Sequence, residues 1–200
     1  MNGPTATDGG GGSDHHDRHG GSDHEHGHEH SHEHHRHDRH ELSFAVVTVS
    51  SSRVTEEDTS GEAIIETVEN AGHTVSTREL INDDFDSVQS TVDRLAERDD
   101  TDCVVTTGGT GVTPDDVTVE AVEPLFDKHL PGFGELFRTL SREEIGTKVV
   151  GTRATAGITD AVPVFCLPGS ENAVRLGTGE IIVEEAPHLA GLARRDETEE

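Results

Sequence analysis

The sequence predicts an α/β fold in which helices cover both faces of a mainly parallel sheet. From Glu41 onward, strand-like runs alternate with helix-like segments with little interruption. The strand-like runs are nearly continuous in apolar and β-branched residues, which is typical of strands buried on both faces. Strands joined by helices of this length form right-handed βαβ crossovers, and these crossovers produce a parallel sheet.

Three strands and two helices are predicted in the first half of this domain. The strands are predicted at residues 42–50, 73–81 and 102–108. Thr59 and Ser60 can cap the first helix at its start, and Gly72 is a typical residue for its end. The second helix has apolar residues at helical spacing, namely Phe85, Val88, Val92 and Leu95.

The second half of the domain alternates in the same way. Its predicted elements are a short helix at 117–122, a longer helix from about Gly134, a strand at 162–168 and a last helix that begins at Ser170. The last helix is predicted to continue through Val174, Ile181 and Ile182. Gly177 and Gly179 weaken the helical pattern in its middle.

Residues 1–40 form a separate predicted segment. They contain 12 of the 15 histidines and have no periodic apolar pattern. Such a segment cannot bury enough apolar surface to offset its conformational entropy. We therefore predict a disordered His-rich tail at 1–40, a folded domain at 41–192 and an acidic tail at 193–200. The run HEHGHEHSHEHHRH (24–37) either binds transition metals such as Zn²⁺, Ni²⁺ or Co²⁺ or is a solvated linker with incidental metal affinity.

The charge of the predicted domain argues against a nucleic-acid partner. From Glu41 onward there are 33 acidic and 12 basic residues, whereas a nucleic-acid groove needs clustered Lys and Arg. The same excess of carboxylates is typical of proteins from a high-salt cytoplasm, because a Debye length of ~3 Å at about 1 M salt screens their self-repulsion. A generally acidic protein without salt adaptation is the alternative.

Several features of the sequence predict a cytoplasmic protein. No apolar run approaches the ~20 residues of a membrane helix, and the start MNGPTATDGG lacks the charged and apolar regions of a secretory signal. Cys103 and Cys166 lie within apolar runs and outside any CxxC motif. We therefore expect buried free thiols and no membrane contact.

The stretch TTGGTGVTPDD (106–116) is the strongest candidate for a binding site. It follows a predicted buried strand, and open α/β sheets bind ligands at the carboxyl ends of their strands. Gly108, Gly109, Thr110 and Gly111 can bring backbone N–H groups close to an anion because glycine has no Cβ. Aspartates just past the loop can hold a divalent cation against that anion. The combination predicts a nucleotide or phosphate site, although glycine loops after strands are often simple turns.

Six motifs resemble, in the same order, the molybdenum cofactor biosynthesis proteins of the MoaB and Mog type, a group that includes the gephyrin G domain. The motifs are VSSSRVTEEDTSG (49–61), LINDD (80–84), TTGGTGVTPDD (106–116), PGFGELFR (131–138), SREEIGT (141–147) followed by TRATAG (152–157), and LPGS (167–170). The resemblance covers essentially all of residues 42–190.

This resemblance implies a three-layer α/β/α domain that assembles as a homotrimer or homohexamer. Active members are molybdopterin adenylyltransferases, which use Mg²⁺ and ATP to place AMP on the terminal phosphate of molybdopterin with release of pyrophosphate. The implied partners are molybdopterin and ATP, with no nucleic acid and no membrane. The choice between a molybdenum and a tungsten pathway stays open.

The resemblance also implies catalytic and metal-binding roles for Asp83 and Asp116, which would hold Mg²⁺ against the phosphates. From the residues alone, each aspartate is also a candidate for capping the helix that follows it. The neighbouring Asp84 could take the place of Asp83.

Three further sets of residues are implied to contact substrate. They are Asp58, Ser60 and Gly61 of a DxSG motif, Arg153 of TRATAG, and Pro168, Gly169 and Ser170 of LPGS. The first set either holds substrate or only starts a helix. Arg153 is a candidate compensating cation, because Asp115 stands where many members have a basic residue. The third set is implied to place the start of a helix near the pterin or its phosphate, with plain capping as the alternative.

Two other functions are compatible with such a domain. A binding protein could hold molybdopterin or its adenylylated form without making it, and it would use the same pocket. The related domain of competence-damage-type nicotinamide nucleotide amidases is a further alternative, but its opening motif differs. Intact Asp83 and Asp116 favour chemistry over binding alone.

Overall fold

The computed structural model describes residues 41–51 and 58–194, which form a six-stranded sheet with helices on both faces. The strands are β1 (Ser43–Val49), β2 (Thr74–Ile81), β3 (Cys103–Thr107), β4 (Lys128–His129), β5 (Thr155–Thr159) and β6 (Val162–Leu167). Their order across the sheet is β2-β1-β3-β6-β5-β4. Strands β1, β2, β3 and β6 run parallel, and β5 runs antiparallel to both of its neighbours. The predicted mainly parallel sheet is confirmed.

Six α-helices connect these strands in the described residues. They are α1 (Thr59–Asn70), α2 (Phe85–Ala96), α3 (Thr118–Val122), α4 (Pro131–Ile145), α5 (Glu171–Gly177) and α6 (Val183–Ala193). A 3₁₀ segment at Gly146–Gly151 follows α4, and another at Glu123–Leu125 follows α3. A π-helical turn at Thr178–Ile182 joins α5 to α6.

Alternate side chains of β1 contribute to two hydrophobic cores on opposite faces of the sheet. Phe44 and Val46 belong to the core that α1, α4, α5 and α6 cover. Ala45 and Val47 belong to the core that α2 and α3 cover. Strands with both faces buried need apolar residues at nearly every position, which explains the continuous apolar runs. The three-layer α/β/α architecture is confirmed.

The edge of the sheet formed by β4 and β5 was not predicted. β5 and β6 form an antiparallel hairpin, and its turn residues Asp160 and Ala161 have φ values of 48° and 61°. Hairpin turns with positive φ usually contain Asn-Gly, Asp-Gly or Gly-Gly, so this turn carries none of the usual sequence signal. β4 has only two residues, which is too short for a periodic pattern.

The structure corrects one helix prediction and refines another. Helix α4 begins at Pro131 and not near Gly134, because proline is well tolerated in the first turn of a helix. The last helix runs from Glu171 to Ala193 and includes Val174, Ile181 and Ile182 as predicted, but a π-helical turn replaces the α-helical pattern at Thr178–Ile182. A Cβ atom on Gly177 would lie 2.5 Å from the Leu167 side chain, so close packing against β6 requires glycine at this position.

The described part of the domain continues to Arg194. This residue follows α6 and donates hydrogen bonds to Asp102 Oδ1 at 2.8 Å and to the Thr101 carbonyl at 3.0 Å. The predicted tails at 1–40 and, from residue 195, at the other end lie outside the described residues, as do residues 52–57 of the first motif. None of the helices in the described ranges has both the length and the apolarity of a membrane span.

Candidate functional site

A cavity of about 500 Å³ opens at the carboxyl ends of β3 and β6. Its walls are the loop after β3, the loop after β6, and α4 with the 3₁₀ segment that follows it. This volume is within the ~300–1,000 Å³ range of small-ligand sites. The cavity thus lies outside the carboxyl ends of two parallel strands, which is where open α/β sheets bind ligands.

Gly108 and Gly109 start the loop after β3 in conformations that other residues rarely adopt. Their φ angles are +99° and +64°. A Cβ atom on Gly108 would lie 2.1 Å from the Val49 carbonyl oxygen, and one on Gly109 would lie 2.2 Å from Thr118 Oγ1. The loop is therefore packed between the end of β1 and the start of α3, where only glycine fits.

Four successive carbonyl groups of this loop accept hydrogen bonds from two residues outside it. The carbonyls belong to Gly108, Gly109, Thr110 and Gly111. Thr118 donates to the first two from its hydroxyl and its N–H at 2.9 and 3.0 Å, and Arg153 donates to the last two from its N–H and its Nε at 3.3 and 2.6 Å. In a trans peptide, the C=O of one residue and the N–H of the next point in opposite directions. The N–H groups that follow these carbonyls therefore point away from Thr118 and Arg153. That of Gly111 donates to the Asp116 carboxylate, and those of Gly109, Thr110 and Val112 are the ones suited to an anion.

The Asp116 carboxylate folds back onto this loop. It accepts hydrogen bonds from the Thr113 N–H at 2.8 Å and from the Thr113 hydroxyl at 2.6 Å. The Thr113 hydroxyl is the largest cause that lowers the pKa of Asp116, and the N–H groups of Thr113 and Gly111 and the charge of Arg153 add to it against the effect of burial. Asp116 lines the cavity, where it is ionised at neutral pH.

Asp116 does not cap the helix that follows it. The N-cap position of α3 is Val117, and it makes no side-chain cap hydrogen bond. The capping alternative for Asp116 is therefore wrong. What the carboxylate stabilises instead is the turn at Thr113, directly beside the glycine loop.

Capping of α2 and contact with the glycine loop are made by different aspartates, Asp84 and Asp83. Asp84 caps α2, with its Oδ1 accepting from the Ser87 N–H at 3.0 Å. Asp83 instead lies beside the glycine loop, where a Cβ atom on Gly109 would be 2.9 Å from its Oδ1. That oxygen is buried and has no hydrogen-bond partner among the described residues.

The surroundings of Asp83 disfavour its negative charge. Burial is the largest cause that raises the pKa of Asp83, and the charges of Asp116 and Asp115 raise it further, while a hydrogen bond from the Val117 N–H acts in the opposite direction. A buried carboxylate oxygen without a partner costs free energy. A bound cation would remove that cost, so the arrangement favours a ligand role for Asp83 over a structural one.

Arg153 supports the glycine loop from behind. Besides its bond to the Gly111 carbonyl, it donates to the Asp116 carbonyl at 3.0 Å and pairs with Glu120. It lines a neighbouring cavity of about 530 Å³ and is not among the residues that line the first. All three guanidinium nitrogens form these bonds. Direct contact of Arg153 with a substrate stays a prediction.

The DxSG residues start α1. Asp58 caps the helix by accepting from the Gly61 N–H at 2.9 Å, and its other oxygen accepts from Thr48 and Arg78 at 2.8 and 3.0 Å. Burial acts to raise the pKa of Asp58, but these hydrogen bonds outweigh it and lower the pKa. The helix-starting alternative is therefore observed for Asp58, and a substrate contact by Asp58, Ser60 or Gly61 stays a prediction.

The loop after β6 is attached to the glycine loop. Thr107 donates from its hydroxyl to the Pro168 carbonyl at 3.0 Å, and the Gly108 N–H donates to the Leu167 carbonyl at 3.0 Å. Ser170 caps α5 by accepting from the Ala173 N–H at 3.4 Å. Pro168, Gly169 and Ser170 all line the cavity. The structure thus brings the LPGS and TTGGTG motifs to one cavity, and contact of Pro168, Gly169 and Ser170 with the pterin or its phosphate stays a prediction.

The wall formed by α4 and its 3₁₀ extension was missed as part of the site. Its lining residues are Phe137, Ser141, Glu144, Ile145 and Lys148. They come from the PGFGELFR and SREEIGT motifs and the lysine just after them, to which no role was assigned. Phe137, Ser141 and Ile145 are four residues apart, which places them on one side of α4, and this spacing is a signal that could have identified them. Lys148 lies beyond α4, in the 3₁₀ segment.

Thiol chemistry is excluded at this site. Cys103 and Cys166 are free and buried, as predicted. Burial raises the pKa of Cys166 to about 12 and raises that of Cys103 well above its ordinary value. Both thiols are therefore protonated and inert, which is typical of structural cysteines.

Residues 45–188 match the family described as "Probable molybdopterin binding domain". The chain belongs to this family. The match spans the sheet, the glycine loop and the Asp83 and Asp116 carboxylates, and it confirms the resemblance that the six motifs indicated.

Relatives in the molybdopterin-binding family are similar to this chain along most of their own length. "Molybdenum cofactor biosynthesis protein B" of Bacillus subtilis (strain 168) is 43% identical over 152 residues, which is 76% of this chain and 89% of that protein. "Molybdopterin adenylyltransferase" of Pyrococcus furiosus is 43% identical over 159 residues, 76% of this chain and 92% of that protein. The crystal structure of the tungsten cofactor synthesizing protein MoaB from Pyrococcus furiosus has a TM-score of 0.71 at 43% identity, and the alignment covers 77% of this chain and 98% of that one.

Proposed function

We propose that the chain is a molybdopterin adenylyltransferase, which transfers AMP from ATP to the terminal phosphate of molybdopterin and releases pyrophosphate. One observation carries the proposal. Thr118 and Arg153 hold four loop carbonyls, so that the N–H groups of Gly109, Thr110 and Val112 point away from them, in a loop beside the carboxylates of Asp83 and Asp116. A phosphate site next to two carboxylates suits a reaction between two phosphates that uses a divalent cation.

The reaction requires the enzyme mainly to position and neutralise phosphates. An oxygen of the terminal molybdopterin phosphate bonds to the α-phosphorus of ATP, and the bond from that phosphorus to the oxygen of the β-phosphate breaks. The electron pair of the broken bond leaves with pyrophosphate. The N–H groups of the glycine loop would orient the ATP phosphates and stabilise their charge, which is the usual protein contribution in such transfers.

Asp83 and Asp116 fit the requirements of a magnesium ion. Mg²⁺ typically binds one or two carboxylates and completes its coordination with water and substrate phosphates. The unpartnered Oδ1 of Asp83 and the ionised Asp116 offer those carboxylates. The described residues contain no group of three or more metal-binding side chains, so the ion would depend on the phosphates for its other ligands. Bound Mg²⁺ would shield the charge between the two substrates.

The apolar wall of the cavity suits the pterin. Ile145 and Leu176 line it together with the nearly buried Phe137. Small-molecule sites typically combine such apolar walls with a few polar groups that fix orientation. We therefore place the pterin ring against these side chains and its phosphate toward Gly169 and Ser170.

Binding without chemistry is the second candidate function. A protein that only carries molybdopterin would use the same cavity. It would gain nothing from a buried Asp83 oxygen without a partner, since that oxygen costs free energy unless a cation is bound. This observation favours the enzyme.

We also propose that the chain assembles as a homotrimer or homohexamer. An apolar groove of about 330 Å³, separate from the candidate site, lies between α4 and α6. It includes Leu130, Phe133, Leu136 and Leu189. The Leu136 side chain is exposed, and exposed apolar patches of this kind often mark contacts between subunits. Light scattering of the full-length chain in concentrated KCl gives the number of subunits.

The function is tested by pyrophosphate release. The full-length chain is incubated in concentrated KCl with molybdopterin, ATP and Mg²⁺, and each component is omitted in turn. We expect release only in the complete mixture. Molybdopterin binding without any pyrophosphate release would instead establish the carrier function.

A further inference from the structure

The cavity combines anionic substrates with an acidic lining. The charged side chains that line it are Asp116, Glu144 and Lys148, and Asp83 lies beside its glycine loop. The substrates of the proposed function both carry phosphates. A phosphate bound in this cavity would lie near carboxylates, and Lys148 is the one cationic side chain among the lining residues.

The nearby arginine cannot supply the missing charge without leaving the loop. The three nitrogens of the Arg153 guanidinium are bound to the Gly111 carbonyl, the Asp116 carbonyl and Glu120. Lys148, in contrast, is exposed and forms no ion pair within the described ranges 41–51 and 58–194. Its ammonium group is available to a ligand.

Lysine is rare in this chain, so a lysine at the cavity favours a role in binding the ligand. The sequence contains two lysines, Lys128 and Lys148, among 15 basic residues. Lys128 lies in β4 and does not line the cavity. Lys148 lies in the 3₁₀ segment that extends α4 over the cavity. Lysine presents a compact charge on a long flexible chain, which suits phosphate binding.

We propose that Lys148 binds a phosphate group of the substrate in the cavity and so offsets the carboxylates that surround it. The inference rests on the proposed function and adds a residue that the motifs did not identify. The phosphate belongs to either ATP or molybdopterin, and the two sources are separated by supplying them singly. The alternative to phosphate binding is that the Lys148 ammonium group is solvated or pairs with Glu144.

The two lysines permit a footprinting test with an internal control. The full-length chain is treated with an amine-acetylating reagent in the presence of Mg²⁺ and ATP, pyrophosphate, adenosine or molybdopterin, and acetylation at each lysine is measured by mass spectrometry. We expect ATP or molybdopterin, at saturation, to slow acetylation of Lys148 at least fivefold and to leave Lys128 unchanged. Adenosine, which has no phosphate, should protect neither lysine.

Substitution provides the second measurement. Lys148→Gln should raise the dissociation constant of the protecting ligand about 10-fold to 100-fold, as expected for a lost hydrogen bond to a charged group. Lys148→Arg should restore most of the affinity because it keeps the charge, and Lys128→Gln should change nothing. Protection by ATP alone assigns the contact to the nucleotide, and protection by molybdopterin alone assigns it to the pterin phosphate.

Two outcomes would overturn the assignment, and they differ in what else they contradict. If either ligand binds the unmodified chain while Lys148 stays fully reactive and Lys148→Gln binds it equally well, Lys148 has no such role and the proposed function stands. If neither ATP nor molybdopterin binds at all, both the assignment and the proposed function are wrong.

Discussion

The Oδ1 atom of Asp83 lies so close to Gly109 that a Cβ atom on the glycine would come within 2.9 Å of it. The two residues follow different strands, β2 and β3, which are not neighbours in the sheet. Their contact joins a carboxylate without a hydrogen-bond partner to the backbone that we propose binds phosphate. The proposed metal and phosphate sites are therefore one structure, and a change at either residue should affect both.

Gly109→Ala should disrupt this structure. The new Cβ would meet Thr118 Oγ1 at 2.2 Å in addition to Asp83, and the φ of +64° disfavours alanine. We expect a loss of roughly 1–3 kcal/mol in the free energy of unfolding and a large loss of ATP affinity. Urea denaturation and calorimetric titration measure the two effects.

Gly132→Ala is the matched control for this glycine. A Cβ atom at Gly132, in the first turn of α4, would meet nothing within 4 Å. Stability and ATP affinity should both be preserved. Equal behaviour of the two alanine variants would contradict the close packing described for the loop.

Asp83→Asn should separate stability from activity. Burial and the charges of Asp116 and Asp115 disfavour the Asp83 carboxylate, so its removal should leave the melting temperature at pH 7 equal to or above that of the unmodified chain. Turnover should fall by orders of magnitude, because the proposed metal ligand is lost. Asp84→Asn should preserve both properties, since asparagine caps a helix about as well as aspartate.

The same carboxylate predicts a pH dependence. The pKa of Asp83 in the folded chain is above the ordinary value of 3.8, so the folded state binds the proton more tightly than the unfolded state. Its contribution to stability is therefore lost as the pH rises from 3.8 through the folded-state pKa. The melting temperature of Asp83→Asn relative to the unmodified chain should rise over that window and then become constant. A constant difference at all pH values would mean that the pKa is not raised.

Arg153→Lys should loosen the glycine loop although it keeps the charge. One ammonium cannot reach the Gly111 carbonyl, the Asp116 carbonyl and Glu120 together as the guanidinium does. We expect faster hydrogen exchange at the loop amides and a stability loss on the order of 1–3 kcal/mol. The exposed Arg142 in α4 supplies the control, Arg142→Lys, which should show neither effect. Unchanged loop exchange in Arg153→Lys would indicate that Arg153 acts on substrate and not on the loop.

Salt should strengthen the fold and its assembly. The 33 acidic and 12 basic residues from Glu41 onward repel one another when screening is weak. Melting temperature and subunit number should both increase from dilute buffer to concentrated KCl. Equal values in the two conditions would argue for an acidic protein without salt adaptation.

Much of the fold was predictable because buried parallel strands have a strong sequence pattern. The runs that form β1, β3 and β6 are apolar on both faces, and Gly72 marks the end of α1 as predicted. The cap at its start is Asp58 and not Thr59 or Ser60, because the Asp58 carboxylate accepts the Gly61 N–H. The β5 to β6 hairpin was not predictable, because Asp160 and Ala161 adopt positive φ without the usual glycine.

The candidate site was predictable where motifs follow strands. Gly108 and Asp116 lie within one loop, so local sequence was sufficient to associate them. The choice between Asp83 and Asp84 was not local, because it depends on which side chain reaches Gly109 across the sheet. Lys148 reaches the cavity because the 3₁₀ segment after α4 lies along it, and that is a tertiary relationship.

The central claim is that Asp83, Asp116 and the glycine loop together transfer AMP to molybdopterin. The most direct measurement is the mass of molybdopterin after incubation of the full-length chain with Mg²⁺ and ATP in concentrated KCl, with Asp116→Asn treated in parallel. We predict that the unmodified chain adds AMP to the pterin and that Asp116→Asn, although folded and able to bind the pterin, adds it orders of magnitude more slowly. A pterin of unchanged mass with the unmodified chain, or equal rates for the two proteins, would contradict the account.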